Sequence, residues 1–349
     1  MFNINTIIRE NIRTLTPYSS ARDEFKGTEG VFLDANENPF NEPYNRYPDP
    51  LQRGVKEQLA QLKGVSTDQI FLGNGSDEAI DLLIRAFCEP HVDNIISISP
   101  SYGMYQVSAE VNAVDFVKVP LNTNFALDVA AIKKAVDANT RLIMLCSPNN
   151  PTANSLEASE MLSLTNDFTG LVVVDEAYID FSLQPSLVRE LKNYKNLVIL
   201  QTFSKAWGLA GLRLGIAFAS GEIINVLNKI KYPYNVNVMT QKLAQEALKD
   251  SKGKEGWVKE IILQRKQLVE ALSVLKITLK IYPSDANFIL LKVADAKRIY
   301  EYLITKKIII RDRSKVAMCE GCLRITIGNK NENKLLYDAL VAYDKASTL

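Results

Sequence analysis

The chain has 349 residues, 47% of them hydrophobic and 23% charged, and its 41 Lys and Arg nearly cancel 40 Asp and Glu. That size and balance describe one large or two ordinary globular domains, and a net charge of +1 gives no electrostatic case for nucleic acid or an anionic membrane. Four cysteines and a single histidine, His91, are too few for a disulfide framework, for a zinc site completed around Cys319 and Cys322, or for a histidine-based triad.

The N-terminal stretch lacks an apolar signal core, and no apolar run approaches the ~18 residues needed to span a bilayer. The expected setting is cytoplasmic. Residues 1–43 carry the turn-formers Asp34, Asn36, Asn38 and Pro39 and read as an arm docking with a small C-terminal domain. From about Ile70, short Val- and Ile-rich runs alternate with amphipathic stretches, the pattern of a mostly parallel sheet covered by helices on both faces. The runs are Asn94–Ile98, Arg141–Cys146, Leu171–Val174, Leu197–Gln201 and Leu214–Ala219. Within Asp77–Phe87, the residues Ile80, Leu83, Ile84 and Phe87 recur at i, i+3, i+4 and i+7, which predicts one buried helix face. The division expected is a large α/β domain over 44–240 and a smaller α+β domain over 241–349. The latter contains a long helical stretch interrupted near Ser251–Gly256.

Ligands of open α/β sheets sit beyond the C-terminal ends of strands, and the loops there hold the chemistry. Gly73-Asn74-Gly75-Ser76-Asp77-Glu78 opens the amphipathic helix. Its glycines admit a phosphate to backbone N–H groups, although Asp77 and Glu78 serve equally well as helix caps. Ser99-Pro100-Ser101-Tyr102 sets an aromatic after the next run, either to stack on a flat ring or to fill the core. Cys146-Ser147-Pro148-Asn149-Asn150-Pro151-Thr152 is a proline-framed turn that either aims the Asn150 amide at a ligand or merely reverses the chain. Asp175-Glu176-Ala177-Tyr178 ends a buried strand on a carboxylate, suited to a cation, a heterocycle or a cap. Thr202-Phe203-Ser204-Lys205-Ala206-Trp207-Gly208 presents a lysine that is either an ordinary loop lysine or one whose pKa partial desolvation lowers, the latter reading alone accounting for Ser204 and Arg213 as anion-binding donors.

Taken together, Asn149-Asn150-Pro151-Thr152, Asp175-Glu176-Ala177-Tyr178 and Ser204-Lys205 with Arg213 resemble fold-type I pyridoxal-phosphate-dependent aminotransferases, in order and spacing, over nearly the whole chain. Further strings are similar to the histidinol-phosphate branch of that family: Leu15-Thr16-Pro17-Tyr18, Leu33 to Pro39, Arg46-Tyr47-Pro48-Asp49, Ile310 to Arg313 and Cys322 to Thr326. The resemblance implies a seven-stranded, mostly parallel sheet and pyridoxal 5'-phosphate bound covalently to Lys205, which also moves the proton. It implies Asp175 on the pyridine nitrogen, Asn150 and Tyr178 on the ring oxygen, and Tyr102 on the ring face. Ser204, Arg213 and the Gly75-Ser76-Asp77 helix start would bind the phosphate, joined by Tyr47 from the other subunit of a homodimer. Arg311, Arg324, Tyr18 and Asn36 would meet the substrate, histidinol phosphate, with 2-oxoglutarate as acceptor. The rival readings are an aromatic or broad-specificity aminotransferase, a threonine-phosphate decarboxylase, and a non-catalytic binding protein on the same fold. One departure is Ala153, where many relatives have glycine; a positive φ there would make alanine cost about 1 kcal/mol.

Overall fold

A computed structural model describes residues 2–18, 21–25 and 30–346. Seven strands form the main sheet: β1 (Ile70–Asn74), β2 (Asn94–Ser99), β3 (Asp115–Pro120), β4 (Thr140–Cys146), β5 (Leu171–Asp175), β6 (Leu197–Thr202) and β7 (Leu214–Phe218). Their spatial order is β1-β7-β6-β5-β4-β2-β3. Only β7 runs against its neighbours. The C-terminal ends of β1, β2, β4, β5 and β6 therefore share one edge with the start of β7.

Each of the five expected runs is a strand. Alternate residues feed two cores, one on each face: Ile143, Leu145, Val172, Val174 and Ile199 on one side, and Leu142, Met144, Val173, Val198 and Leu200 on the other. The Gly75–Phe87 helix lays Ile80, Leu83, Ile84 and Phe87 in the second core, all fully buried. Each such side chain contributes roughly 1.5–3 kcal/mol over an exposed one.

A second, antiparallel sheet follows, in the order β10 (Arg311–Asp312), β11 (Cys322–Thr326), β9 (Phe288–Val293), β8 (Thr278–Ile281). It packs with the Ser251–Ser273, Ala296–Thr305 and Lys330–Ala346 helices around its own core. The helical break falls slightly before the expected interruption. The Val238–Leu248 helix stops, Asp250 caps the next helix by accepting the Gly253 N–H at 2.9 Å, and the chain runs unbroken to Ser273. Val238–Leu248 packs on the Arg53–Lys63 helix of the large unit, whereas Ser251–Ser273 packs on β8 and the last helix and also touches the large unit at Ile179–Phe181.

The arm departs from expectation. Ile4 and Ile7 join the core of the large sheet, the Arg9 N–H bonds Ala86, and the Arg9 guanidinium holds Glu89 at 3.1 Å. These contacts tie it to the large unit rather than the small one, because its apolar side chains find the open flank of the Gly75–Phe87 helix. All four cysteines are buried free thiols. No helix among the described residues is long and apolar enough to cross a membrane.

Candidate active site

The shared strand edge opens into a cavity of about 90 Å³ lined by Gly75, Ser76, Asp77, Tyr102, Cys146, Asn150, Asp175, Ala177, Tyr178, Thr202, Ser204, Lys205 and Arg213. One wall is the start of the Gly75–Phe87 helix. Gly75 has φ +74°, donates its N–H to the Arg213 carbonyl at 2.6 Å, and a Cβ on it would lie 2.7 Å from the Arg213 guanidinium. Across from it, a Cβ on Gly215 would come within 2.1 Å of the Gly75–Ser76 peptide. Two glycines thus let β7 and the helix N-terminus meet backbone to backbone, leaving the helix's first N–H groups beside the cavity. The two acids that follow part company. Glu78 folds back to accept from the Asn74 backbone and from the Asn74 and Asn235 amides, which is capping. Asp77 faces the cavity, accepting from the Tyr102 hydroxyl at 3.1 Å and lying 3.6 Å from Arg213. Ser204 Oγ accepts from Arg213 at 3.5 Å, completing a cluster of anion-binding donors.

At the far wall, Asp175 ends β5 fully buried. Oδ1 accepts the Ala177 N–H at 3.0 Å and Oδ2 accepts the Tyr105 hydroxyl at 2.8 Å. Burial pushes its carboxyl up to about 6, against those two hydrogen bonds, which hold it down. No ion pair to Asp175 forms among the described residues, and a buried carboxylate without a cation is costly. Lys205 follows β6, with Nζ over the Tyr178 ring at 5.5 Å. Burial and then the charge of Arg324 lower its pKa below that of an ordinary lysine. Arg324 arrives from β11, in register with Leu290, and donates to Asn150 Oδ1 at 2.5 Å while lying over the Phe288 ring. The second sheet thereby closes the mouth of a site built on the first.

The turn that carries Asn150 answers the question of Ala153. Its φ is +71°, its N–H bonds the Asn149 carbonyl at 2.7 Å, and its methyl is fully buried among Tyr178, Phe181, Ala286 and Phe288. The left-handed conformation costs about 1–2 kcal/mol, whereas the buried methyl returns about 0.8 kcal/mol and alanine's stiffer unfolded chain about 0.4–1 kcal/mol. Ala153→Gly is therefore expected to leave stability within about 1 kcal/mol of the parent, measured as the urea midpoint at constant slope. A larger shift either way would contradict that balance.

Gly75, Ser76, Asp77, Tyr102, Asn150, Asp175, Tyr178, Ser204, Lys205 and Arg213, separated by up to 138 positions in the chain, meet as expected. Others do not. Tyr18 is exposed and lines a separate groove with Lys229 and Lys231. Asn36 is exposed at φ +54°. Its neighbour Glu37 is the anchor there, clasped by Arg22 at 2.6 Å and Arg46 at 2.9 Å. Arg311 is exposed on β10 beside Arg324 and does not line the cavity, since a side chain one strand further out sits beyond its rim. Tyr47 stacks on Tyr234 at 4.4 Å, half-exposed and away from this chain's own cavity. Thr202, which accepts the Ser204 N–H at 3.1 Å, and Tyr105 are functional candidates that the motifs do not signal. Thr202 reads as a strand end and Tyr105 as one more aromatic on a helix.

An anion cradle at one wall, a buried carboxylate lacking a cation at the other, a flat aromatic between them and an activated amine alongside fit pyridoxal phosphate. The Aminotransferase class I and II family profile matches residues 31–340. The chain is 56% identical over 346 residues to a histidinol-phosphate aminotransferase from Cytophaga hutchinsonii, covering 98% of this chain and 99% of the relative. Its fold matches the crystal structure of the histidinol-phosphate aminotransferase from Clostridium acetobutylicum, with a TM-score of 0.80 at 25% identity over 87% of this chain and 92% of that one. The fold also matches the enzyme of that name from Sinorhizobium meliloti, solved in complex with pyridoxal-5'-phosphate, with a TM-score of 0.79 at 24% identity over 90% of each chain. The chain belongs to the class I and II aminotransferases.

Proposed function

We propose that this enzyme transfers the amino group of L-histidinol phosphate to 2-oxoglutarate, giving imidazole-acetol phosphate and L-glutamate, as a step of histidine biosynthesis. The observation that carries the reading is the meeting of Lys205, Asp175 and Arg213 in one cavity with Arg324 across its mouth. The near full-length relative at 56% identity bears the corresponding name.

Bound pyridoxal phosphate supplies an electron sink for the carbanion formed when the substrate loses its proton. Ser204, Arg213 and the N–H groups at Ser76 and Asp77 would hold its phosphate, Asp175 its ring nitrogen, Asn150 and Tyr178 its ring oxygen. Lys205 Nζ, a neutral amine over more of the pH range than an ordinary lysine, takes the proton from the amine-bearing carbon of the substrate. Arg324 presents a planar fork that binds a phosphate or a carboxylate in comparable geometry, which suits a site that must receive histidinol phosphate and then 2-oxoglutarate. Its bond to Asn150 exchanges for the substrate anion. Asn150 keeps its amide donors for the ring oxygen.

The reading extends to assembly. Tyr47 points away from its own cavity, and Phe40, Tyr44 and Tyr47 lie exposed on one stretch. They suit a homodimer in which Tyr47 completes the other subunit's phosphate site. The arm (1–43), the large domain (44–240) and the small domain (241–349) form its working parts, with the crossover best placed at Lys249–Asp250, where the two helices change partners. Four free thiols suit a reducing cytoplasm.

Incubating the enzyme with pyridoxal phosphate, L-histidinol phosphate and 2-oxoglutarate is expected to yield glutamate, at a kcat/KM well above that for phenylalanine or tyrosine. No glutamate, with carbon dioxide released from threonine phosphate, would replace the reading with a decarboxylase. Equal efficiency with the aromatic amino acids would make it a broad-specificity enzyme.

A further inference from the structure

A buried carboxylate can serve a cationic ring only if it stays ionised and holds its orientation, and Asp175 makes no ion pair among the described residues to do this. Both of its oxygens are already claimed by donors of the protein. The Ala177 N–H takes Oδ1 and the Tyr105 hydroxyl takes Oδ2 at 2.8 Å. The Ala177 donor is part of the backbone and comes with the turn. The Tyr105 donor is a choice of side chain, delivered from the Met104–Val111 helix.

Tyr105 is fully buried, one of the largest side chains with no exposure. Its ring meets the Tyr102 ring edge-on, centroids 5.5 Å apart at 84°, so the same residue buttresses the aromatic wall and the carboxylate. Burial and the adjacent Asp175 charge raise the hydroxyl's own pKa well above the ordinary value. The proton stays on Tyr105, which donates it to the Asp175 carboxylate. Cys146 lies alongside, its thiol donating to the Pro148 carbonyl at 3.4 Å, and burial keeps it protonated as well. Around Asp175 on this side there are thus donors and no competing base. A hydrogen bond to a charged group is worth more than a neutral one, and more in a low dielectric.

We infer that Tyr105 is a positioning residue: through its hydroxyl it holds Asp175 ionised and turned toward the cavity, and so keeps the nitrogen of a bound pyridine ring protonated. This rests on the pyridoxal-phosphate reading above. Removing the donor raises the proton affinity of Asp175, and the proton shared between carboxylate and ring shifts toward the carboxylate.

Tyr105→Phe removes one oxygen and keeps the ring against Tyr102. With pyridoxal phosphate labelled by nitrogen-15 in the ring, the parent enzyme is expected to show a protonated-pyridine signal at pH 7.5, and the variant a signal moved toward the neutral ring. Cofactor affinity by equilibrium dialysis should weaken by about 10- to 100-fold, the range for one hydrogen bond to a charged group. In an Asp175→Asn background the same substitution should change affinity less than threefold, whereas a merely structural role would persist there. Site-specific 3-fluorotyrosine at position 105 keeps the fold and a stronger donor, so it should hold the signal at the protonated position even if the phenylalanine variant does not fold. A protonated signal unchanged in Tyr105→Phe, or a shift produced equally by fluorotyrosine, overturns the role of Tyr105. Failure of the parent enzyme to bind pyridoxal phosphate overturns the cofactor reading instead, and the two failures are told apart by that first measurement.

Discussion

Lys205→Ala is expected to lower kcat by about 10⁴-fold or more, beyond the loss usual for a general base alone, because no other group in the cavity can take its place. Burial raises the pKa of Tyr102, of Tyr178 and of Cys146, which keeps all three protonated and poor as bases. Asp175 is held by two donors, Asp77 is engaged by the Tyr102 hydroxyl and lies beside Arg213, and the guanidinium groups of Arg213 and Arg324 offer donors and no acceptor. His91, the only histidine in the chain, is exposed in the loop before β2. Among the amine, phenol and thiol groups lining the cavity, Lys205 is the one whose proton affinity is lowered, first by burial and then by Arg324. The acid limb of kcat/KM in the parent enzyme should accordingly fall below the ordinary lysine range. In the variant, borohydride should no longer fix the cofactor to the protein, while the Ser204–Arg213 cradle still retains it non-covalently. Activity within tenfold of the parent would remove Lys205 from the proton transfer.

The parts of this site that are legible in the sequence share one physical cause. A strand buried on both faces must be a continuous apolar run, so β2, β4, β5, β6 and β7 announce themselves and place Tyr102, Asn150, Asp175, Lys205 and Arg213 at the shared strand edge. The two sheet-edge strands escape that test. The apolar part of β1 is only Ile70–Leu72 before Gly73, and β3 fully buries only Val119, between exposed Lys118 and exposed Pro120. Tyr105 escapes for a different reason: a tyrosine on a helix carries the same pattern whether its hydroxyl meets a carboxylate or nothing. Arg311 and Arg324 look alike as strand-borne arginines, yet only Arg324 crosses to Asn150, a matter of three-dimensional closure and not of spacing. Tyr18, Asn36 and Tyr47 sit exposed or half-exposed outside the cavity lining, a placement that no apolar periodicity marks.

Asp175 carries the second large effect, and its sign depends on whether the cofactor is present. In the free protein its pKa rises from 3.8 to about 6 because burial disfavours the charged form. A group so raised favours folding below the unfolded value and loses that contribution as pH climbs through the folded one. At 1.36 kcal/mol per unit, the ionised carboxylate makes the cofactor-free protein about 3 kcal/mol less stable above pH 6 than its neutral form would. Asp175→Asn removes the charge while leaving acceptor and donor atoms for Ala177 and Tyr105. The cofactor-free variant is therefore expected to be more stable than the parent by up to about 3 kcal/mol at pH 7.5, with the difference shrinking through pH 6 and vanishing near pH 4. With pyridoxal phosphate bound the order inverts, since only the parent then gains a cationic partner, and the variant should lose nearly all activity. Urea unfolding at several pH values, with and without cofactor, reads both halves. A cofactor-free variant no more stable than the parent at pH 7.5, or a difference indifferent to pH, would show that Asp175 is not held against its own ionisation, and would leave the cavity without the unmet charge that a cationic ring would satisfy.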